Sequence, residues 1–402
     1  MTPEGNSRTR PISALRGGLA CIGCACAWAL FSPADSHAGE ASASYDTAPP
    51  EAPGASAEKD PQVALSEACG RPEAKLSRVA AALVARKVKG LPYLEGDGLT
   101  ELLRRYGEPH VWPRAWIASG KDLDQAAAIK RLTPFGASVA SEGEGRCGAV
   151  RFVGPDGVQI VAAIALDAVA DLEAALPVRG RTGQWIELRA IVRVPATGAR
   201  VVVTGPHGAP KPVLTSWDGK VARAKFVLAE PGAFVVQLVA DTARGPRPVL
   251  EGRVFADVTP EYEVLSLPAP GEDAARNLAG KDALYAMVDA LRASERLRPL
   301  KHEAQLEALA DGHAARMESS RTLGHDVGDG DPFARAEEAG LSVDAVGENV
   351  ANAESIVAAY RTLYRSPSHR ANLVRAEYTH MGFAVRKTKT GYWVAQTFAK
   401  MR

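Results

Sequence analysis

The amino-acid sequence predicts a multidomain protein with an N-terminal α+β unit, a central antiparallel β-sandwich and a C-terminal α-β-α sandwich. The spacing of apolar residues predicts this, because it is helical in the first part, alternates with a period of two in the middle, and mixes both patterns at the end. The length of 402 residues also exceeds that of a typical single domain. The chain therefore divides into three folded units joined by polar segments.

The overall charge is balanced. The chain contains 48 Lys and Arg against 47 Asp and Glu, and 46% of its residues are hydrophobic, which is typical of soluble globular proteins. A balanced charge provides no electrostatic attraction to nucleic acid or to an anionic membrane surface. We therefore predict no nucleic-acid partner, and the sequence leaves the oligomeric state open.

The N-terminus has the pattern of a signal peptide, residues 1–38. Three basic residues come first, at Arg8, Arg10 and Arg16. The apolar run 17–31 follows and is too short for a stable membrane span, and Ala38 offers a cleavage site. A lipoprotein anchored through Cys21 is the alternative, but the apolar run continues past that cysteine. The prediction is export, with the mature protein secreted or held in the periplasm or cell envelope.

The cysteines agree with export. Three of the five lie in the predicted signal peptide, at Cys21, Cys24 and Cys26. Only Cys69 and Cys147 remain in the mature chain, and a pair of cysteines in an oxidising compartment predicts a disulfide. Two buried free thiols are the alternative.

The N-terminal unit is predicted at residues 63–175, after a disordered linker at 39–62 that is rich in Ala, Pro, Ser and Glu. One helical stripe comprises Ala80, Leu83, Val84 and Val88. The stretch 151–166 predicts a β-hairpin, because Pro155-Asp156-Gly157 separates two apolar runs.

The central unit is predicted at residues 176–258. Its five candidate strands are WIELRAIVRV, ARVVVTGP, ARAKFVLAE, AFVVQLVAD and LEGRVFADV. Turn residues separate these short strands, and such spacing is typical of an immunoglobulin-like antiparallel sandwich.

The C-terminal unit is predicted at residues 274–402, after a linker at 259–273. Apolar stripes indicate two helices, one through Ala283, Leu284, Met287, Val288 and Leu291, the other through Leu306, Leu309, Ala310, His313 and Met317. A third helix is predicted at 355–365, and MGFAVRK and GYWVAQTFA form a plausible hairpin. This alternation indicates an α-β-α layered unit.

Three polar stretches of the C-terminal unit carry candidate functional residues. They are LGHD with His325, VGENVA with Glu348 and Asn349, and SPSHRANL with His369, and each is predicted at the end of a periodic segment. Two imidazoles and a carboxylate could hold zinc or another divalent cation, or could act as general acid and base without metal. The alternative is that they cap and bridge backbone groups around a loop-rich face. Asn349 is expected to hydrogen bond to backbone, and His313 to be a core histidine with satisfied partners.

These stretches also carry a resemblance. The segments LRPL, LEALADGHAARM, GHD, GENVA, SPSHRANL and YTHMGFAV occur in this order. Together they resemble the CAP superfamily (cysteine-rich secretory proteins, antigen 5 and pathogenesis-related 1) in its bacterial secreted, SCP-like form. The resemblance covers under a third of the chain. It implies an α-β-α sandwich with a cleft lined by His325, Glu348 and His369.

The sequence departs from the family pattern in three ways. The aromatic residue often found before the SPxHR turn is Leu363 here. The second cleft glutamate has no clear counterpart, and the candidates are Glu337, Glu338 and Glu377. Both mature cysteines lie outside this domain, so it lacks the disulfides of animal and plant members.

The hairpin of the first unit echoes the last hairpin of the chain. Gly148 and Gly157 match the positions of Gly382 and Gly391, and Ile160 and Ile164 fall where Val394 and Phe398 fall. The first unit could therefore be a degenerate CAP-like copy that has lost its cleft residues. A chance resemblance between hairpins is the alternative.

The leading functional prediction is a secreted binding protein whose C-terminal cleft engages a lipid, glycan or peptide. One alternative is a metal-assisted, peptidase-like hydrolase that uses His325, Glu348 and His369 to activate water. The other is a structural interaction scaffold. A fold does not fix a function, so the sequence favours a binder over an enzyme without deciding between them.

Overall fold

The computed structural model describes residues 42–46, 61–94, 96–139, 142–262 and 268–402. The predicted signal peptide lies outside these ranges, as does most of the predicted linker 39–62. Within that linker, Ser44–Tyr45 forms a short strand (β1), which corrects the prediction of disorder at this point. The ring of Tyr45 is fully buried in the core of the sandwich, and its hydroxyl accepts a hydrogen bond from Arg253 N at 2.9 Å. A buried aromatic ring supplies the apolar stabilisation that the rest of the linker lacks.

The first unit is a four-stranded sheet with helices on both faces. Its helices are Pro61–Glu67 (α1), Ala74–Val88 (α2), Gly96–Arg105 (α3) and Gln125–Ala137 (α4). Its strands are Arg71–Pro72 (β2), Arg114–Gly120 (β3), Glu144–Val153 (β4) and Gln159–Ala168 (β5). The strand order is β2-β4-β5-β3, with β2 parallel to β4 and the other pairs antiparallel. The predicted hairpin corresponds to β4 and β5.

A disulfide between Cys69 and Cys147 confirms the predicted pair. It ties the turn after α1 to the middle of β4, and both cysteines are buried in a core shared by α1, α4 and the sheet. Because the two cysteines are 78 positions apart, the bond restricts a long loop of the unfolded chain.

The central unit consists of two facing sheets around one core. The first strands are Ala170–Leu172 (β6), Leu176–Pro177 (β7), Arg179–Gly180 (β8), Trp185–Val192 (β9) and Gly198–Thr204 (β10). The later strands are Lys211–Val213 (β11), Thr215–Trp217 (β12), Val221–Val227 (β13), Gly232–Thr242 (β14) and Gly245–Ala256 (β15). The sheet orders are β6-β9-β13-β12 and β11-β10-β14-β15-β8. Since β6 belongs to the sandwich, this unit begins before residue 176, the predicted boundary.

Buried charges join the first unit to the sandwich. Arg146 on β4 donates to both carboxylate oxygens of Asp171 on β6, at 2.7 and 2.8 Å. His110 bonds to Glu108 and lies 2.7 Å, through Nε2, from the carbonyl of Ala170. Burial alone would lower the pKa of His110, but Glu108 and Asp171 raise it to about 9. Loss of any one partner would leave a buried charge uncompensated, so this network fixes the two units against each other.

The C-terminal unit is a three-layer α-β-α arrangement. Its helices are Gly280–Ser294 (α5), Ala304–Ser320 (α6), Pro332–Glu338 (α7), Ile356–Arg365 (α8) and Pro367–Leu373 (α9). Its strands are Lys301–His302 (β16), Val343–Ala353 (β17), His380–Lys387 (β18) and Tyr392–Met401 (β19), in the order β16-β18-β19-β17. Phe383 and Val394 face the α5, α8 and α9 layer, whereas Ala384 and Ala395 face α6. This alternation follows from the period of two in a strand.

The predicted linker 259–273 is partly structured. A 3-10 helix, Glu272–Ala275, begins inside it, and Glu272 forms a two-point ion pair with Arg361 on α8. Tyr262 packs edge-on against Phe255 of the sandwich. Both ends of this segment are therefore attached to the units that they connect.

Candidate functional site

The site lies at β17, an edge strand of the C-terminal sheet. Glu348 was predicted at the end of a periodic segment, but it stands in the middle of β17. Its side chain is almost entirely buried. His325 lies in the loop between α6 and α7, and its Nδ1 atom donates to Glu348 Oε1 at 2.9 Å. The structure therefore brings two of the predicted residues into direct contact.

Arg335 neutralises the Glu348 carboxylate. It is buried on α7, a helix capped by Asp331, whose carboxylate accepts from the first backbone N–H groups. Arg335 Nη2 donates to Glu348 Oε2 at 2.5 Å, while Nη1 donates to the carbonyls of His325 and Gly330 at 2.8 and 2.6 Å. Both oxygens of Glu348 are thus occupied, one by a guanidinium and one by an imidazole.

His313 and Asp329 extend the network on the α6 side. His313 is fully buried, with Nδ1 2.8 Å from Asp329 Oδ2 and Nε2 2.9 Å from the carbonyl of Gly324. Its Nε2 also lies 3.6 Å from Glu348 Oε1. The expectation of a satisfied core histidine is confirmed, but this histidine also supports the site. Burial would raise the pKa of Asp329, yet its hydrogen bond to His313 and the charges of His313 and Arg335 hold it below its usual value.

Asp329 is the second carboxylate of the network. The three glutamates considered from the sequence, Glu337, Glu338 and Glu377, are all exposed and take no part in it. Asp329 stands between two glycines in the loop that carries His325. This proximity to His325 in the sequence could have identified it as a site residue. Arg335 gave no such signal, because a basic residue in a surface-like helix normally faces solvent.

His369 approaches β17 from the opposite layer, on the short helix α9. Asn349, the next residue along β17, is fully buried and donates to the carbonyl of His369 at 3.2 Å, which agrees with its expected backbone contact. Asn372 Nδ2 donates to the carbonyl of Glu348 at 3.0 Å and to Asn349 Oδ1 at 2.9 Å. Side chains of both helical layers therefore meet at the edge strand, and α9 is locked to it.

The imidazole of His369 is kept uncharged. Burial among protein atoms, with a smaller contribution from the charge of His325, lowers its pKa to about 3. Its Nδ1 atom lies 2.8 Å from Ser366 Oγ. At neutral pH the ring is therefore a neutral hydrogen-bonding group, in contrast to a carboxylate-paired imidazole.

The sandwich forms one wall of this site. The turn between β14 and β15 lies against the His325 loop, where the carbonyl of Arg244 accepts from His325 N at 2.9 Å and from Asp326 N at 3.3 Å. Gly245 has φ +89°, and a Cβ atom there would stand 2.6 Å from the Cβ of His325. Only glycine allows both this backbone conformation and this close approach. The side chain of Gln237 on β14 also contacts the C-terminal unit, because it hydrogen bonds to Ser366 Oγ and to Ser368 N, near His369.

The predicted trio fits a metal ion poorly as a set of three ligands. Within the described ranges, no group of three or more His, Cys, Asp or Glu side chains is arranged to hold a metal ion. Glu348 already uses both oxygens, and a cation bound there would face the guanidinium of Arg335. His325 and His369 could each offer a second ring nitrogen, with Glu348 orienting His325 from behind.

Residues 285–398 match the CAP family, the cysteine-rich secretory protein family. No curated protein matches the chain significantly in sequence. In the described part of the chain, no helix has the length and apolar character needed to cross a membrane.

Several solved structures are similar. An outer surface protein from Borrelia burgdorferi is 23% identical, with 30% of this chain and 92% of that chain covered and a TM-score of 0.30. An extracellular SCP-domain protein from Bacillus anthracis is 15% identical, with coverages of 58% and 86% and a TM-score of 0.27. A cysteine-rich secretory protein from Staphylococcus aureus is 14% identical, with coverages of 67% and 89% and a TM-score of 0.26.

Proposed function

We propose that this chain, whose residues 285–398 form a CAP domain of the cysteine-rich secretory protein family, is an exported binding protein that holds its ligand against His325 and His369. The ligand is a lipid, glycan or peptide that offers polar groups to the two imidazoles. The N-terminal pattern of basic residues, apolar run and small residues supports export.

The state of Glu348 carries the proposal. A general base or a metal-bound carboxylate needs an oxygen that can take a proton or a ligand. Both oxygens of Glu348 are instead engaged by His325 and Arg335, and the side chain is 1% exposed. The buried carboxylate therefore orients His325, which at 12% exposure still reaches the surface. This arrangement favours recognition over water activation.

The apolar surroundings support a ligand with an apolar part. Leu323 and Phe333 flank the His325 loop and are 40% and 39% exposed. Small-molecule sites combine apolar side chains with a few polar groups, so these two side chains could contact an apolar part of the ligand.

The other two units enter the proposal as a spacer and a scaffold. The sheet order β6-β9-β13-β12 corresponds to the A-B-E-D order of an immunoglobulin-like sandwich, and β15-β14-β10 corresponds to G-F-C, with β8 and β11 as additional edge strands. These orders support that assignment. The first unit has the same strand order and directions as the CAP sheet, which supports a degenerate CAP-like copy.

The test is ligand retention by the full chain on arrays of lipids, glycans and peptides. We expect wild type to retain one class, the His325→Ala/His369→Ala variant to lose it, and Glu338→Ala, an exposed change on α7, to behave as wild type. Turnover of an arrayed peptide or ester that disappears in Glu348→Gln would overturn the binding function in favour of the hydrolase. Equal retention by wild type and the double variant would show that the ligand does not bind at His325 and His369.

A further inference from the structure

Gln237 of the sandwich makes a fixed set of hydrogen bonds at the CAP site, which we define by His325, Glu348 and His369. Its side chain is 1% exposed. Nε2 donates to Glu251 Oε2 at 2.8 Å and to Ser366 Oγ at 3.0 Å, while Oε1 accepts from Ser368 N at 3.0 Å. A carboxylate only accepts and a backbone N–H only donates, so the amide cannot be turned over without losing these bonds. Gln237 thus presents an N–H group to Ser366.

This donor determines what Ser366 does with its own proton. One lone pair of Ser366 Oγ is used by Gln237 Nε2. The nearest acceptor for the hydroxyl proton is His369 Nδ1 at 2.8 Å, whereas Ser368 Oγ lies at 3.5 Å. The second lone pair of Oγ could accept from an Nδ1–H, but the hydroxyl proton would then lose its nearest acceptor. Donation by the hydroxyl to Nδ1 satisfies both groups, and the ring proton of a neutral His369 then resides on Nε2. Within the described residues, Nε2 has no hydrogen-bond partner.

We propose that Gln237 is a positioning residue of the CAP site, which acts through Ser366 to hold His369 in the Nε2–H tautomer. The site then presents an N–H donor to the ligand at this point. The ligand group that it suits is an oxygen acceptor: the carbonyl of an ester or peptide, a phosphate oxygen or a sugar hydroxyl. The ligand statement rests on the proposed function, whereas the tautomer statement does not.

One consequence is that the site is shared between two units. Gln237 and Glu251 are cross-strand neighbours on β14 and β15, far from His369 in the sequence. An isolated CAP domain would lack the donor to Ser366, and its His369 would be free to exchange tautomers. A second consequence concerns metal binding, because Nε2 of His369 could coordinate a cation only after losing this proton, so the relay opposes metal binding there.

Nitrogen-15 NMR of the full chain, labelled at histidine, tests the tautomer directly. His369 is assigned by comparison with His369→Gln. In wild type we expect Nδ1 to resonate as an unprotonated nitrogen and Nε2 as a protonated one. In Ser366→Ala and in Gln237→Leu both signals should move toward the averaged values of an exchanging imidazole. Ser368→Ala is the matched control, since its backbone N–H still reaches Gln237, and it should leave both signals in place.

A protonated Nδ1 in wild type would overturn the inference. This outcome requires no variant, so the test remains decisive even if a variant fails to fold. Unchanged signals in folded Ser366→Ala and Gln237→Leu would overturn the role of the relay. Array binding of the same proteins separates the two proposals. If the tautomer is as inferred but no ligand is retained, only the proposed function fails. If a ligand is retained by a wild-type protein with the other tautomer, only this inference fails.

Discussion

The first and the last units build the same sheet and use it differently. In each, a short strand pairs in parallel with the first strand of a hairpin, and a further strand pairs antiparallel with the second. The helix that follows the short strand starts alike: Glu73 N donates to the carbonyl of Cys147, and Glu303 N to that of Met381, both at 2.9 Å. The two frameworks therefore correspond residue by residue at this point.

A glycine in each hairpin lies under the helix in the same way. A Cβ atom on Gly148 would stand 2.0 Å from Ser77 N, and one on Gly382 would stand 2.2 Å from Glu307 N. Such distances cannot be accommodated without moving the helix backbone. The glycines thus set how closely the helix packs on the sheet in both units.

The sheet register shows which residues stand at corresponding positions in the two units. Gly148 pairs with Ile164, which pairs with Ala115, whereas Gly382 pairs with Thr397, which pairs with Glu348. Ala115 therefore occupies the position of Glu348. By the same register Ile164 corresponds to Thr397 and not to Phe398, because the loop of the first hairpin is one residue longer. Ile160, predicted at the position of Val394, corresponds by the same register to Trp393.

The helix register gives the same result. Leu83 lies seven residues after Leu76, as His313 does after Leu306, and Leu83 is buried in an apolar core. The comparison teaches that the framework alone creates no polar site. A few side chains on β17, α6, α7 and α9 and in the His325 loop do so.

The largest expected difference between the two units comes from the disulfide. Replacing both cysteines by alanine should reduce the free energy of unfolding of the first unit by about 4 kcal/mol, because the unfolded chain regains the entropy of a long loop. The C-terminal unit has Met381 in place of Cys147 and should not respond. Hydrogen exchange of the full chain, followed region by region, measures both; equal loss of protection in the two units would contradict independent stabilisation.

The next effect should be confined to the C-terminal unit. Glu348→Ala leaves Arg335 buried without its carboxylate, which should reduce the free energy of unfolding by about 3 kcal/mol. Urea denaturation of the full chain, with Glu338→Ala as an exposed control on the same helix as Arg335, measures the change. A Glu348→Ala protein as stable as the control would show that the ion pair is not needed for packing.

The glycine pair should respond alike in both units. Gly148→Ala and Gly382→Ala should each reduce the free energy of unfolding by about 2 kcal/mol or more, because the added methyl group meets helix backbone. Gly312→Ala on α6 is the control: its Cβ atom would meet nothing within 4 Å, so it should stabilise the helix by up to about 1 kcal/mol. Thermal denaturation compares the three, and tolerance of either hairpin change would break the correspondence between the units.

The smallest effect is a pH dependence specific to the first unit. Burial, with the negative charge of Glu108, raises the pKa of Glu73 to about 7. The folded unit then keeps a proton that the unfolded chain releases above its ordinary carboxyl pKa, so stability falls as the pH rises toward 7. Glu73→Gln should remove this fall and raise the free energy of unfolding at pH 8 by about 1–2 kcal/mol.

Glu303→Gln provides the counterpart in the C-terminal unit. Glu303 is only half-buried and accepts from Gln305 N at 3.3 Å, so Glu303→Gln controls for the loss of a carboxylate at the corresponding position. Denaturation curves at several pH values between 5 and 8 decide the matter. A fall in stability that persists in Glu73→Gln would assign the effect to another group.

The sequence by itself determined the elements and the chemistry available to them. Apolar periodicity located α2, α5 and α6 and the long strands, because a helix or strand must bury one face and its period appears in the chain. The cysteine pair and the stretches around His325, Glu348 and His369 could likewise be recognised from the local sequence. Very short strands such as β8 and β11 were not, since two or three residues carry no period.

The tertiary structure decided which groups meet. It joined Glu348 to Arg335, placed His313 behind the site, and brought Gln237 to Ser366 across 129 residues of sequence. No local pattern encodes such contacts, because they depend on how separate units pack and on which buried charge needs a partner. Residue types and their spacing fixed the possible participants, and packing alone selected their partners.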